Sequence, residues 1–399
     1  MKICLITAIT PMRENVRGTS ALPYHLMAER NEDIDIEIYT FNSNNIAEAD
    51  IKEVEKTLNV KVNVMPLPRW YMWMLKACSL PLRVLLKYPF MNYLTLPQDK
   101  VNEINNKKPD LIWVMGEELS RIVKQFPEQQ RIQTGPDTES LYYYRMMGRR
   151  FVMNNAMDYW KCAMMYRKYA RMEKAFCTDD NFTYYAVGEE DINHLRQLNP
   201  EVKCEFLRHP HYEVSDDDGE RKSFHAPKMR LLIAGRNDLY MRQEADGLCA
   251  ELEAHSSELQ NSYVITFLGK GWERHVTALR EKGFDVKHIS FAPDYIQEIT
   301  RHDIQITPIA IGTGTKGKVL DALANGLLVI GTGYAMENIA VENGVSCIEY
   351  RQPSEVVNVL VDISTDREKY EKMAAKGRQC VLKYHDRKLL SKYLFGIRH

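Results

Sequence analysis

Residues 312–326 read GTGTKGKVLDALANG and follow the apolar run DIQITPIAI. Gly312, Gly317 and Lys318 satisfy G-x-x-x-x-G-K, the front of a P-loop, in which backbone N–H groups cradle phosphates and the lysine reaches the terminal ones. A P-loop then needs a Ser or Thr hydroxyl for Mg²⁺, and Val319 stands there. The next strand, LLVIGT, ends in Gly and Thr where an ATPase places a metal-binding Asp. An ATPase is therefore excluded, but the anion chemistry of the turn survives. Gly312, Gly314 and Gly317 let the backbone close around a ligand. A following helix offers unsatisfied N–H groups and the positive end of its dipole. Lys316 and Lys318 add charge, and Asp321, placed in the first helical turn, is positioned to accept from ribose hydroxyls. The pattern fits a diphosphate held without a metal. The plainer alternative is a helix start with a dipole-favourable Asp and solvated lysines.

The elements around this turn are short apolar runs separated by helical patterns. KICLITA opens the chain, followed by IDIEIYT, VKVNVMP and DLIWVMG. A second series starts at MRLLIAG (229–235) and continues through YVITFLG, VKHISF, DIQITPIAI and LLVIGT. Continuous apolar strands alternating with helices predict parallel sheets covered on both faces, in two doubly wound α/β domains. The charged stretch VSDDDGERKSFHAPK lacks apolar periodicity and reads as a linker. The expected domains are 1–213, a linker 214–228, a second domain 229–380, and a C-terminal helix over 381–399 that packs back on the first domain.

Within this frame, Pro308 to Glu337 resembles the donor-binding segment of nucleotide-sugar glycosyltransferases of the GT-B fold, family-4 (group 1) type. That segment reads P-x-x-x-G-x-G-T-[KR]-x-K-x-L-E-A, then a Gly and a strand. Pro308, Gly312, Gly314, Thr315, Lys316, Lys318, Leu320, Ala322 and Gly326 match in order and spacing. The resemblance implies two Rossmann-like domains facing across a cleft, the second binding a nucleotide diphosphate sugar. It implies donor contacts from Gly312, Gly314, Thr315 and Lys316, with Asp321 replacing the glutamate that binds ribose and Glu337 at the later acidic position. MRLLIAGR resembles the opening strand of the donor domain, placing Gly235 and Arg236 at the diphosphate with Arg242 beside them. FAPDYIQEI resembles the segment along the base, near Phe291 and Ala292. In the first domain TPMRENVRGTS, with Gly18, resembles the flexible first loop, and PDTESLYYYR the segment carrying the cleft aspartate, here Asp137. Catalysis is then expected from Asp137, Arg236 and Lys318. Departures are Asp321, one methylene shorter than Glu, Leu328 where Pro is common, and Pro136 where many relatives have His.

Other candidates carry plainer readings beside the chemical ones. Asp137 and Glu139, in a polar turn after RIQTG, could orient an acceptor hydroxyl or the donor sugar, while Asp137, Thr138 or Ser140 is also a suitable N-cap for the helix that follows. RHPHYE (208–213) is read as a structural turn, because no acidic or Cys partner accompanies its histidines, and DDD at 216–218 as a solvated charge run. Residues 67–93 interleave Trp70, Tyr71, Trp73, Tyr88 and Phe90 with Arg69, Lys76, Arg83 and Lys87. Such a stretch forms either amphipathic helices packed on the first sheet or a membrane-interface surface.

Bulk properties narrow the classes. With 399 residues, 45% hydrophobic and 27% charged, the chain reads as an ordinary globular protein of two domains. A formal net charge of -1 gives no footprint for nucleic acid. The eight cysteines are scattered without a C-x-x-C pair, as expected for free thiols in a reducing cytosol. MKICLITA is too short an apolar run, and lacks a cleavage site, for a signal peptide, and no run approaches the length of a spanning helix. The expectation is a cytoplasmic, hexosyltransferase-like enzyme with no cofactor and no metal, placed at the inner face of the cytoplasmic membrane. It would be retaining and serve polysaccharide assembly, with a saccharide or lipid-linked acceptor. The alternatives are a sugar-nucleotide epimerase of the same fold and a non-catalytic nucleotide-sugar-binding protein.

Overall fold

The computed structural model describes residues 1–152, 156–215 and 224–396, which form two compact units. The first comprises Met1–Pro210 together with the segment from Arg387, and the second His211–Asp386. Unit 1 carries β1 (Lys2–Thr7), β2 (Asp35–Thr40), β3 (Lys61–Val64), β4 (Leu111–Met115), β5 (Arg131–Gly135), β6 (Phe182–Ala186) and β7 (Cys204–Phe206). Unit 2 carries β8 (Met229–Ala234), β9 (Tyr263–Leu268), β10 (Asp285–Ile289), β11 (Ile304–Thr307), β12 (Leu328–Thr332) and β13 (Ile348–Tyr350). The sheets run β3-β2-β1-β4-β5-β6-β7 and β10-β9-β8-β11-β12-β13. Every paired strand is parallel, in register from Ile3 opposite Leu111 to Ile304 opposite Leu231.

Parallel strands need cover on both faces, and alternate side chains supply it here. In β1, Cys4 and Ile6 enter one apolar cluster while Ile3 and Leu5 enter the opposite one. In β8, Leu231 and Ile233 face one cluster and Leu232 and Ala234 the other. Fully burying a side chain of this size stabilises the fold by about 1.5–3 kcal/mol. Continuous apolar runs are thus a direct consequence of helices on both sides of each sheet.

Both sheets reverse their winding direction beside the first strand of the unit. β1 lies between β2 and β4, and β8 between β9 and β11. In open parallel sheets ligands bind beyond the carboxyl ends of strands at such a reversal, so the loops after β1 and β4, and after β8 and β11, are where a site belongs.

The helix Arg367–Tyr384 runs through position 381, where the sequence placed the start of the C-terminal helix; the returning helix is Arg387–Phe395. It belongs to unit 1, where Leu390, Leu394 and Phe395 join the cluster around Trp113, with the Phe395 and Trp113 rings 5.3 Å apart. The unit boundary at Pro210/His211 precedes the 214–228 stretch read as a linker. Of that stretch, residues 216–223, including the DDD run, lie outside the described residues.

Candidate functional site

The loops after β8 and β11 meet. The Ala310 N–H donates to the Tyr240 carbonyl at 2.7 Å, and the Thr332 hydroxyl donates to the Ile309 carbonyl at 2.6 Å. Gly235 ends β8 with φ +138°, and its carbonyl accepts from the Trp272 indole at 2.8 Å. A Cβ on Gly235 would lie 2.7 Å from Met241 Sδ and 3.8 Å from Lys318 Nζ. At Gly269, after β9, a Cβ would lie 2.2 Å from the Gly235 carbonyl oxygen. No side chain fits at Gly269, the positive φ of Gly235 disfavours one there, and the Lys318 ammonium lies beside Gly235.

Lys318 stands in the helix Gly317–Ala324, whose start is held by buried Gln305, donating to the Lys318 carbonyl at 3.2 Å. Its side chain reaches solvent while protein surrounds it, 5.9 Å from the centre of the Tyr295 ring. Desolvation lowers its pKa, opposed by the charges of Asp321 and Asp238. Asp321 is 9% exposed and its pKa is pushed up to about 7, first by burial, against the Lys318 charge and with the Glu213 charge. It lies past the first turn of the helix, not in the first turn as the sequence suggested, because the helix begins at Gly317. The Tyr295 hydroxyl is buried without a hydrogen-bond partner. A cation, a titratable carboxyl and an unpartnered hydroxyl therefore share one crowded spot. That set can hold a diphosphate beside a hydroxyl-bearing ring.

The remaining expected residues are distributed unevenly around this spot. Lys316 folds back on its own turn, donating to the Thr313 and Gly314 carbonyls at 2.5 and 3.1 Å. Gly314 has φ +60°, and its carbonyl also accepts from Asn338 at 3.0 Å. Gly312 and Thr315 complete the same turn, the former buried and the latter half-buried. Arg236 is exposed, and among the described residues its guanidinium makes no hydrogen bond or ion pair, so it is available to an anion. Arg242 opens the helix Arg242–Ala254 and makes a long contact, 3.5 Å, to the Asn237 carbonyl. Phe291 is 76% exposed, and Ala292 packs on the apolar cluster beneath it. Their segment runs directly into Tyr295, which brings it to Lys318. Glu337, half-buried, follows the short helix Gly333–Met336.

Gly18 and Asp137 belong to unit 1, where both line one cavity of about 250 Å³. Its walls come from the loops after β1, β4 and β5, and include Glu117, Glu118 and Glu139 but no lysine or arginine. The helix after Asp137 starts at Glu139, one residue beyond Thr138, whose N–H donates to Asp191 at 2.6 Å. Asp137 therefore sits outside the cap position and against the cavity.

Sequence reasoning singles out Glu139 beside Asp137, but not Glu117 or Glu173. Glu117 is 3% exposed; one oxygen accepts the Glu139 N–H at 3.0 Å, while Oε1 finds no N–H or O–H donor among the described residues. Beside it, fully buried Glu173 accepts from the Ser140 N–H at 3.0 Å and from the Ser140 hydroxyl, which also bonds His194 at 2.7 Å. Burial raises the pKa of both Glu117 and Glu173, and that of Glu117 further through the neighbouring Glu173 charge. Burial, then the charges of Glu118 and Asp137, pushes Glu139 up to about 8. One readable signal is GEE at 116–118, a glycine and two acids at the carboxyl end of an apolar strand. Glu173 has none, because it lies far along an ordinary helix. Among the described residues no group of three or more His, Cys, Asp or Glu is placed to hold a metal ion.

Two sheets reversing beside their first strands, each with a pocketed or glycine-lined reversal, define the architecture as GT-B, two Rossmann-like units in one chain. Neither a protein-family model nor a curated protein matches the sequence. Solved structures match over almost the whole length. HepE of Anabaena, solved with UDP, is 14% identical with a TM-score of 0.65, covering 99% of this chain and 98% of that one. Sucrose-phosphate synthase of Thermosynechococcus elongatus is 12% identical, TM-score 0.63, with 99% and 97% covered. WaaG, a glycosyltransferase involved in lipopolysaccharide biosynthesis, is 13% identical, TM-score 0.58, with 98% of each chain covered. At these identities the likeness is one of fold.

Proposed function

We propose that this protein is a glycosyltransferase that moves a sugar from a nucleotide diphosphate sugar to a saccharide or lipid-linked acceptor. The observation that carries the reading is the meeting of Gly235 and Lys318 at the β8/β11 reversal, above the N-terminus of Gly317–Ala324. Supporting it, HepE of the same fold has been solved with UDP-glucose. Arg236, Lys318 and the helix N–H groups stabilise the departing diphosphate, charge that develops as the glycosidic bond breaks. Positive side chains take the place a divalent ion would fill, so transfer is metal-independent, and by family resemblance it proceeds with retention. Asp321 accepts from ribose hydroxyls, Phe291 and Ala292 flank the base, and Asp137 orients a reacting hydroxyl or the donor sugar.

The test is a donor screen without acceptor, because transferases leak nucleotide diphosphate by slow hydrolysis. Release of nucleotide diphosphate from one donor supports transfer. A new sugar nucleotide would instead identify an epimerase, and binding without turnover a non-catalytic protein. His194 bonds Ser140 and does not line the cavity with the unit 1 carboxyls, which favours transfer over epimerisation.

The setting we propose is surface polysaccharide assembly at the inner face of the cytoplasmic membrane, a process of the kind WaaG serves. No described helix is long and apolar enough to cross a membrane, so contact would be interfacial. Support comes from residues 67–93. The helix Leu80–Leu85, sequence LPLRVL, has no buried residue, and Leu85 is 81% exposed. Trp70, Met72, Trp73 and Leu75 are exposed nearby, with Arg69, Lys76 and Lys87 among them. Apolar side chains and cations on one surface suit anionic headgroups. The protein is expected to cosediment with anionic vesicles. Trp70→Ser with Trp73→Ser should weaken partitioning by about tenfold or more, since each ring contributes roughly 1.5–3 kcal/mol when buried. Unchanged partitioning would remove this surface as the anchor.

A further inference from the structure

We propose that unit 1 binds the phosphate and adjoining chain of a membrane lipid in the cavity between residues 80–91 and the helix Ala156–Glu173. The inference rests on the membrane reading of residues 67–93, and it assigns the site at which the lipid part of a lipid-linked acceptor is held.

The cavity measures about 230 Å³. Phe90, Met164, Met165 and Tyr169 give it apolar walls, and Leu80 and Val84, both exposed, continue it to the surface that carries Leu85 and Trp73. An alkyl chain entering from the bilayer meets apolar atoms throughout, with methionine side chains that adapt to its shape.

Two cations also line it. Lys168 is 7% exposed and donates to the Arg83 carbonyl at 2.5 Å. Covering the ammonium lowers its pKa, and no opposing carboxylate restores it. Arg83 Nε is buried without a partner, and its Nη2 makes only a 3.4 Å contact to the Lys76 carbonyl. Among the described residues neither side chain forms an ion pair. Burying cations without counter-ions is costly, and an incoming phosphate would remove the deficit with charge-assisted hydrogen bonds. The one carboxyl in the lining, Glu118, accepts from the Tyr169 hydroxyl at 3.0 Å and is shifted toward its neutral form by burial, so it opposes an anion weakly. A bare phosphate would gain nothing from the methionines and aromatic rings. A lipid with an uncharged head would leave both cations unmet.

Met91 and Glu118 line this cavity and also the 250 Å³ cavity that holds Asp137 and Glu139. A phosphate near Lys168 therefore places whatever sugar it carries beside the carboxyl-lined wall. The lipid site and the saccharide site adjoin within one unit.

The probe is dodecyl phosphate, kept below its micelle-forming concentration and titrated calorimetrically into the full chain, with inorganic phosphate in parallel and anionic vesicle cosedimentation as a separate measurement. The expected result is saturable one-to-one binding of dodecyl phosphate and none of inorganic phosphate. Lys168→Met should weaken that binding at least tenfold, Lys168→Arg should retain it, and Met165→Trp, which fills the cavity, should abolish it. Vesicle cosedimentation should survive in all three. If Lys168→Met fails to fold, Arg83→Met must show the same loss. The inference is overturned if wild-type protein cosediments but does not bind dodecyl phosphate, if the variants bind it as wild type does, or if inorganic phosphate binds equally well. Loss of wild-type cosedimentation with dodecyl phosphate binding intact would instead overturn the membrane reading and leave the cavity assigned.

Discussion

Lys318→Met is expected to slow nucleotide diphosphate release by about 10²- to 10³-fold, the usual loss when one preorganised group facing developing charge is removed. Binding of the free nucleotide diphosphate should also weaken, by about tenfold or more, since a hydrogen bond to a charged group contributes about 1.5–3 kcal/mol. The size of the effect follows from surroundings. Lys318 stands within loops closed by Gly235 and Gly269, and protein has already replaced part of its hydration. A lysine in open solvent would exchange water for phosphate with little gain; this one has less water to lose. The variant has a second consequence through Asp321, whose carboxyl the Lys318 charge pulls toward ionisation against burial. Without that charge the Asp321 pKa rises above about 7, so a larger fraction is neutral at neutral pH. A neutral carboxyl accepts ribose hydroxyls more weakly, and raising the pH should then recover part of the nucleoside contribution in the variant. The measurements are turnover and nucleotide diphosphate affinity across pH. Lys316→Met, made in parallel, should affect the phosphate less, because that ammonium is engaged with the Thr313 and Gly314 carbonyls. Full affinity in Lys318→Met would make the phosphate assignment wrong.

The contrast between these two lysines shows how far the sequence was legible. Spacing places Lys316 and Lys318 equally close to the glycine turn, and only geometry separates them: one aims at its own loop, the other at Gly235. The doubly wound units were readable because both faces of each sheet are covered, which leaves LIWVM apolar throughout and LVIGT buried along its whole length. The glycine turn was legible as an anion-binding candidate because its glycines and lysines lie within a few residues of one another. Asp321 falls one residue beyond the first turn its spacing suggests, since a glycine at position 317 can stand before a helix or open it, and here it opens it. Two of the unit 1 carboxyls are hidden for a different reason. Glu139 is legible beside Asp137 in its polar turn, but Glu117 and Glu173 come from two other segments, and each alone is an ordinary acid. Their burial, and hence their chemistry, exists only once β4, β5 and the Ala156–Glu173 helix are assembled. The 67–93 stretch is ambiguous for the opposite reason: its composition suits core helices or a membrane surface, and it divides, with Tyr71 and Met74 buried in unit 1 and no residue of Leu80–Leu85 buried.

Those carboxyls should make the stability of unit 1 fall as pH rises, and Glu117→Gln should remove much of the fall. A carboxyl whose folded pKa is raised holds its proton more tightly in the folded state than in the unfolded one. Its stabilising contribution is complete below the unfolded value and is lost as pH climbs through the folded value. For Glu139 that window runs from 4.5 to about 8, and for Glu117 it extends upward from the same starting value. The cause is first desolvation, then mutual repulsion; ionising both Glu117 and Glu173 would bury two negative charges together, so a proton shared between them is favoured. Gln at 117 keeps the shape, accepts the Glu139 N–H through its oxygen, and donates its amide to the Glu173 carboxylate, with no proton left to lose. The variant should therefore match wild type near pH 4.5 and exceed it increasingly as pH rises, because a proton held more tightly on folding makes stability fall with pH and the amide holds none. Urea unfolding followed by hydrogen exchange in β4 and β5 reads unit 1 separately from unit 2. Parallel pH profiles for wild type and Glu117→Gln would show that no proton is held there. The functional corollary concerns the cavity wall: a protonated Glu139 donates a hydrogen bond where an ionised one can only accept. In the proposed transferase, a saccharide hydroxyl seated against it at neutral pH would meet a donor, and Asp137 on the same wall is the residue we propose to orient the reacting hydroxyl.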